Sequence, residues 1–291
     1  MEHLKREYAV GIYELFSDVD HALEVVFRRV GRLCRCSPSI EPLSDEHIVV
    51  QAQVIRMLHL LLAAWPAGNE GYGVAVGSLV RTMMETLIDT AWMLRDLPTR
   101  SALFGRFAIL EEWAALDALN TYQGWLSPVD KATLDRWSTY VSNNPRDFDT
   151  WRTKHGALKS PHSRRWSGIS VSEMCKNLGS EYEDLYNLDY LTLSSTIHGS
   201  GLVAWELQQG AYQLFVERLP MMLAVATDQH LAAIRFLLGL RLCVSLVREV
   251  QNTLVGHETL LNKRLARRID ELATKVSNMR FRQPIQLDRT T

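Results

Sequence analysis

The chain has 291 residues, 47% of them hydrophobic, with a formal net charge of −1. That length and apolar fraction suffice to bury a large core. The near-zero charge excludes a protein coated in basic surface for duplex DNA but leaves room for local patches.

Cysteine usage narrows the class further. Cys34, Cys36, Cys175 and Cys243 form no CxxC pair, which sets aside a zinc ribbon or a thioredoxin-type motif and fits reduced thiols in a cytoplasmic protein. The opening MEHLKREYAV lacks the apolar stretch of a secretory signal. The most hydrophobic region, Leu219–Val247, is interrupted by Asp228, Gln229, His230, Arg235 and Arg241. A membrane span needs about 20 mostly apolar residues, so this region is expected to be a buried core helix and no membrane partner is expected.

Nearly every long segment has helical period, and strand-like alternation is scarce. Residues 3–33 predict a first amphipathic helix, with Tyr8, Ile12, Leu15, Phe16, Leu23 and Val26 on one stripe. Ser37–Pro42 breaks the chain, and Ser44 or Asp45 can cap a second helix that is expected to stop near Trp65, before Pro66 and Gly68. Gly71–Asp96 predicts a third helix, ended by the Leu97–Pro98 turn, and 101–122 a fourth. The fifth is punctuated by Ser127 as N-cap, Pro128 at the first helical position and Asp130 in the first turn. Residues 144–169 read as irregular. Ser170 to Glu173 fits a capping box for a short helix ending at Gly179. The tyrosine-rich helices follow, then a long apolar helix over 220–253 and a charged helix after Gly256. The expectation is an all-α fold: one helical domain over 1–276, a bundle of long antiparallel helices. Its motif-bearing core lies at about 50–215 and its C-terminal helices at 220–276, with a polar, flexible tail at 277–291.

Chemistry concentrates in Tyr182–Gly201. Tyr182, Tyr186, Tyr190, Ser194 and His198 recur every four residues, along one side of a helix. Ser194, Ser195, Thr196 and Ser200 surround His198 with hydroxyls, and Gly199 and Gly201 leave its neighbourhood open. Imidazole titrates near neutrality and is the default general acid/base. The plainer reading is a hydrogen-bonded core histidine.

On the third helix, Arg81, Glu85 and Asp89 span only about 80° of the circumference, opposite Val76, Leu79, Val80, Met83, Met84 and Leu87. A solvated face with one ion pair is the plain explanation. It leaves Asp89 unexplained. A third cluster, Arg152, Lys154, His155, Lys159, His162, Arg164 and Arg165, lies between Trp151 and Trp166 with no acidic residue from 150 to 172. Cations beside aromatics suit RNA or nucleotide through phosphate pairing and base stacking, and a solvated loop is the alternative. No HExxH, no Glu-x-x-His pair, no phosphate loop and no GxSxG elbow occurs.

Arg81–Glu85 with Ala91–Asp96, the Trp166–Gly168 element, and Leu193–Ser200 together resemble an uncharacterised bacterial helical family, the domain of unknown function 5677. The likeness covers about residues 50–215. More loosely, a helical bundle with a polar histidine on a late helix is similar to the HEPN superfamily, many of whose members are dimeric, metal-independent ribonucleases of toxin–antitoxin and phage-defence systems. Those enzymes carry Arg-x(4–6)-His. Here Leu191, Thr192 and Leu193 occupy the arginine positions, and Arg81 is the candidate replacement.

The resemblance implies an HEPN-like effector, a metal-independent ribonuclease or nucleotide-processing enzyme acting as a homodimer, with a partner protein of a defence system. His198, Arg81 and Glu85 would be catalytic. Tyr186, Tyr190, Ser194, Ser200, Trp166, Arg152, Lys154, Arg164 and Arg165 would hold RNA or nucleotide, and no cofactor or metal is expected. The alternative is a non-catalytic ligand- or partner-binding bundle whose Arg/Glu/His network is structural.

Overall fold

The structure is a computed structural model that describes residues 6–33, 46–123, 126–151, 165–197, 221–255 and 260–278. Among the described residues the fold is almost wholly helical and contains no strand. The helices are α1 Arg6–Leu33, α2 Glu46–Asn69, α3 Gly73–Leu94, α4 Leu97–Gln123 and α5 Pro128–Asn143, then a 3₁₀ segment Pro145–Trp151. There follow α6 Val171–Leu178, α7 Ser180–Asp184, a π-helical segment Leu185–Tyr190 and α8 Leu191–Ile197. After these come α9 Met221–Val250, a second π-helical segment Gln251–Val255, and α10 Leu260–Ser277.

Two prolines behave differently from the sequence expectation. Pro66 lies inside α2, which continues to Asn69. A proline frees the carbonyl four residues earlier, and Leu62, which carries it, is 46% exposed. Pro98 opens α4 as its second residue, where a missing N–H costs nothing. The caps behave as their residue types dictate: Ser127 Oγ accepts from Asp130 N at 3.1 Å and Ser170 Oγ from Glu173 N at 3.2 Å.

The described chain divides into two compact units. The first comprises Met1–Arg28, Val54–Leu87 and Asp184–Thr291. In it α1 buries Ile12, Leu15, Val19, Leu23 and Val26 at steps of three or four, the period of a core-facing stripe. Trp65 of α2 stacks on Phe16 and tilts against Phe236 of α9. α3 and α9 approach closely at a glycine: a Cβ at Gly239 would lie 3.2 Å from both Val80 Cγ2 and Met83 Sδ. Arg235, buried on α9, donates from Nη1 to the Gly73 carbonyl at 2.9 Å, so this interruption of the apolar run has its hydrogen bond. The rest of α9 over 231–250 is largely buried.

The second unit comprises Arg29–Gln53 and Ile88–Glu183. Here α4 and α5 are joined by two indole donors, Trp113 Nε1 to Ser138 Oγ at 3.1 Å and Trp137 Nε1 to Glu112 Oε2 at 2.8 Å. Phe107, Phe148 and Trp151 pack ring against ring in its core. Among the described residues α2 alone is long and apolar enough to cross a membrane, and Val50, Val54, Met57 and Leu61 on it are buried.

Candidate functional site

In the first unit, three side chains close a polar ring. Arg81 and Glu85, one turn apart on α3, approach to 3.1 Å between Nη2 and Oε1. Arg81 Nη2 also donates to the Tyr190 hydroxyl at 2.9 Å, and that hydroxyl donates to Glu85 Oε1 at 2.9 Å. Both charged side chains are mostly covered, 16% and 20% exposed. A wet helix face does not describe them. The guanidinium carbon sits 5.0 Å from the Tyr190 ring centre, and Tyr186 stacks on the other tyrosine with ring centres 5.1 Å apart. All of Arg81's described bonds leave from Nη2. Its Nε is buried without a hydrogen-bond partner among the described residues.

Tyr186 and Tyr190 both lie in the π-helical segment. A π turn adds a residue to the helical repeat and is rare outside functional or strained positions. Ser194, half-buried on α8, continues the same chain one turn further on. Within the π segment Asp189 has its carboxyl pushed up by burial, opposed by the charge of Arg241. His198 and Ser200 lie outside the described residues, as do Arg152, Lys154 and Arg164.

In the second unit the remaining expectations change. Arg165 Nη2 meets Asp89 Oδ1 at 2.7 Å, with Asp89 only 9% exposed. The carboxylate that nothing nearby in sequence explained is one half of an ion pair spanning 76 positions. Arg165, expected to hold nucleic acid, is thus paired with Asp89 in the second unit. Trp166, expected beside it in the binding loop, is 4% exposed and meets Phe104 edge to face at 5.2 Å. Stacking on a base needs an open ring face, and this ring is core. Trp151 is fully buried and donates to the Arg165 carbonyl at 3.3 Å.

The buried Cys175 thiol is pushed up to about 11 by desolvation, which outweighs the favourable charge of Arg165. Cys243 is raised further by complete burial. Neither is a reactive thiol. Among the described residues no group of three His, Cys, Asp or Glu side chains could hold a metal ion.

Sequence reasoning therefore found Arg81, Glu85 and Tyr190 but not the bond that joins them. It also missed the Asp89–Arg165 pair, whose one signal was a carboxylate beside the apolar face of α3. Tyr182, first in the tyrosine row, belongs to the core of the second unit, while Tyr186 and Tyr190 belong to the first.

No curated protein and no solved structure matches the chain. A family model described as a family of unknown function, DUF5677, matches residues 47–208. That span covers more than half of the sequence and carries Arg81, Glu85, Asp89, Arg165 and Tyr190, and the chain belongs to this family.

Proposed function

We propose that this chain is an HEPN-like cytoplasmic effector that processes RNA or nucleotides without a metal, as a homodimer in a toxin or phage-defence system. What supports the reading is one arrangement: a largely covered guanidinium, Arg81, fixed between Glu85 and a stacked tyrosine pair. A preorganised cation stabilises charge developing on phosphate better than a mobile one, and aromatic rings accept bases. In this scheme Arg81 stabilises the phosphate, Glu85 orients it, Tyr190 holds the substrate through its hydroxyl, and Tyr186 and Ser194 complete the site. His198, eight residues after Tyr190 in the sequence, is the acid/base.

Purified protein and a His198→Ala variant, incubated with total cellular RNA and with nucleotides in chelator, provide the test. Turnover falling about 10²- to 10⁴-fold in the variant is expected. Equal and negligible turnover by both overturns the reading.

The closure of the polar ring favours a second reading. Arg81, Glu85 and Tyr190 bond one another, as in a non-catalytic bundle where a buried network fixes helix register. In that case Arg81→Met loses stability while wild type neither binds nor turns over RNA or nucleotide.

A further inference from the structure

The polar ring in the first unit gives Tyr190 the surroundings of a reacting group. Its hydroxyl donates to Glu85 Oε1 and accepts from Arg81 Nη2, both at 2.9 Å. Glu85 is in turn fixed by Arg81, with 3.1 Å between Oε1 and Nη2. A hydroxyl within hydrogen-bond reach of a base, with that base oriented by a third group, is the arrangement of an activated nucleophile. The catalytic triad of serine hydrolases is one instance of it.

Packing fixes the oxygen further. Tyr190 is buried, its ring stacks on Tyr186 with centres 5.1 Å apart, and the Arg81 guanidinium carbon lies 5.0 Å from its ring centre. The segment that carries it is π-helical, a form found mostly as single turns at functional sites. Arg81 and Glu85 keep 16% and 20% of their side chains exposed. The charged side of the ring therefore meets solvent, and a phosphate approaches the hydroxyl from there.

We infer, on the reading of this site as one that processes RNA or nucleotides, that Tyr190 is a nucleophile that forms a covalent tyrosyl phosphate. Glu85 is its general base and Arg81 its phosphate-stabilising cation. In the first step Glu85 takes the phenol proton and passes it to solvent. The phenolate oxygen bonds to phosphorus, the bond from phosphorus to the leaving oxygen breaks, and that oxygen takes a proton from water. In the second step water attacks the tyrosyl phosphate, the bond to Tyr190 breaks, and a proton of that water restores the phenol. The sum is hydrolysis. Arg81 serves both charged species, because the negative charge moves from the phenolate to phosphate oxygens beside the same guanidinium. The phosphate comes from an internucleotide link of RNA or from the anhydride of a nucleoside triphosphate.

The full chain is incubated with single-stranded RNA in one arm and with a nucleoside triphosphate in the other, quenched in acid and mapped by mass spectrometry. A tyrosyl phosphate survives acid, whereas a phosphohistidine does not. The Tyr190 peptide should carry the adduct in the arm that holds the true substrate. Tyr190→Phe should lose adduct and turnover together, and Glu85→Gln should slow both about 10²- to 10⁴-fold. Native-state hydrogen exchange over 76–87 and 185–197 establishes that both variants are folded in the assay. Stereochemistry at phosphorus supplies a readout that needs no accumulated adduct. A chiral phosphorothioate substrate, with a 2′-deoxy sugar at the cleaved link so that ribose cannot attack, should react with retention. Inversion, failure to cleave the deoxy link, or a folded Tyr190→Phe that keeps turnover overturns the nucleophile and leaves the ribonuclease or nucleotide reading standing. A wild-type chain that turns over neither substrate overturns both.

Discussion

The bond from Arg81 to Tyr190 can be measured by a double-mutant cycle of Arg81→Met and Tyr190→Phe. Phenylalanine keeps the stack on Tyr186 and removes only the hydroxyl, which accepts from Arg81 and donates to Glu85. Hydrogen bonds to charged partners contribute about 1.5–3 kcal/mol each. Arg81 and Glu85 keep each other at 3.1 Å after the change, so neither charge is stranded. The expected cost of Tyr190→Phe is therefore about 2 kcal/mol rather than the sum of two full bonds. The coupling term isolates Arg81 Nη2 to the hydroxyl and should be about 1 kcal/mol, because the guanidinium retains some solvent and its carboxylate. Since the chain divides into two compact units, one global unfolding curve mixes their responses. Native-state hydrogen exchange of amides in 76–87 and 185–197 reads the local opening free energy instead. Tyr186→Phe, which leaves all three polar contacts in place, is the control. A coupling below about 0.5 kcal/mol, within the error of additivity, would refute the claim that the ring joins α3 to the π-helical segment.

Three further outcomes follow from the same reasoning. Arg165→Met strands Asp89, which is 9% exposed, and should destabilise the second unit by about 3 kcal/mol, while Arg165→Met with Asp89→Leu should recover most of the loss; native-state hydrogen exchange of amides in 88–94 and 171–178, read in both variants, decides this. Gly179 ends α6 at φ +116° with ψ 178°, a region open essentially to glycine, so Gly179→Ala should cost about 1–3 kcal/mol although nothing lies within 4 Å of the new Cβ. Folding holds the Cys175 thiol protonated, from its ordinary 9.0 up to about 11; between those values the unfolded chain has fewer protons bound, so stability should fall as pH rises from 9 to 11, and a Cys175→Ala chain followed by urea midpoints should show a shallower fall.

Much of the fold was legible because helices announce their ends locally. Ser127 with Pro128, and Ser170 with Glu173, place their caps by bonds that span three residues. The failures came where context decided. Pro66 stops a helix only if the carbonyl it frees has no water, and at Leu62 the residue carrying it is exposed. The 3₁₀ segment Pro145–Trp151 has no periodic stripe to betray it, yet Phe148 and Trp151 are fully buried. Cationic residues between two tryptophans suggested a binding loop because composition is silent about which way a ring points. Trp151 and Trp166 themselves pack in the core of the second unit, and the basic residues 152–164 lie outside the described residues.

The candidate site was legible as a set of residue types and not as a set of bonds, and the difference bears on mechanism. Arg81 and Tyr190 are 109 positions apart, beyond any local pattern. Their contact has two consequences that oppose each other. Glu85 neutralises Arg81 in the resting protein, so an incoming phosphate competes with a carboxylate already in place. The same carboxylate accepts the Tyr190 proton and holds the guanidinium in one pose, leaving Nη1 without a described bond for an oxyanion. Preorganisation helps catalysis only if the interaction strengthens in the transition state. Arg81→Lys keeps the charge but loses the planar fork. A reaction using Arg81 against phosphate should therefore lose turnover in that variant far more than substrate affinity, whereas a purely structural ring would lose stability alone.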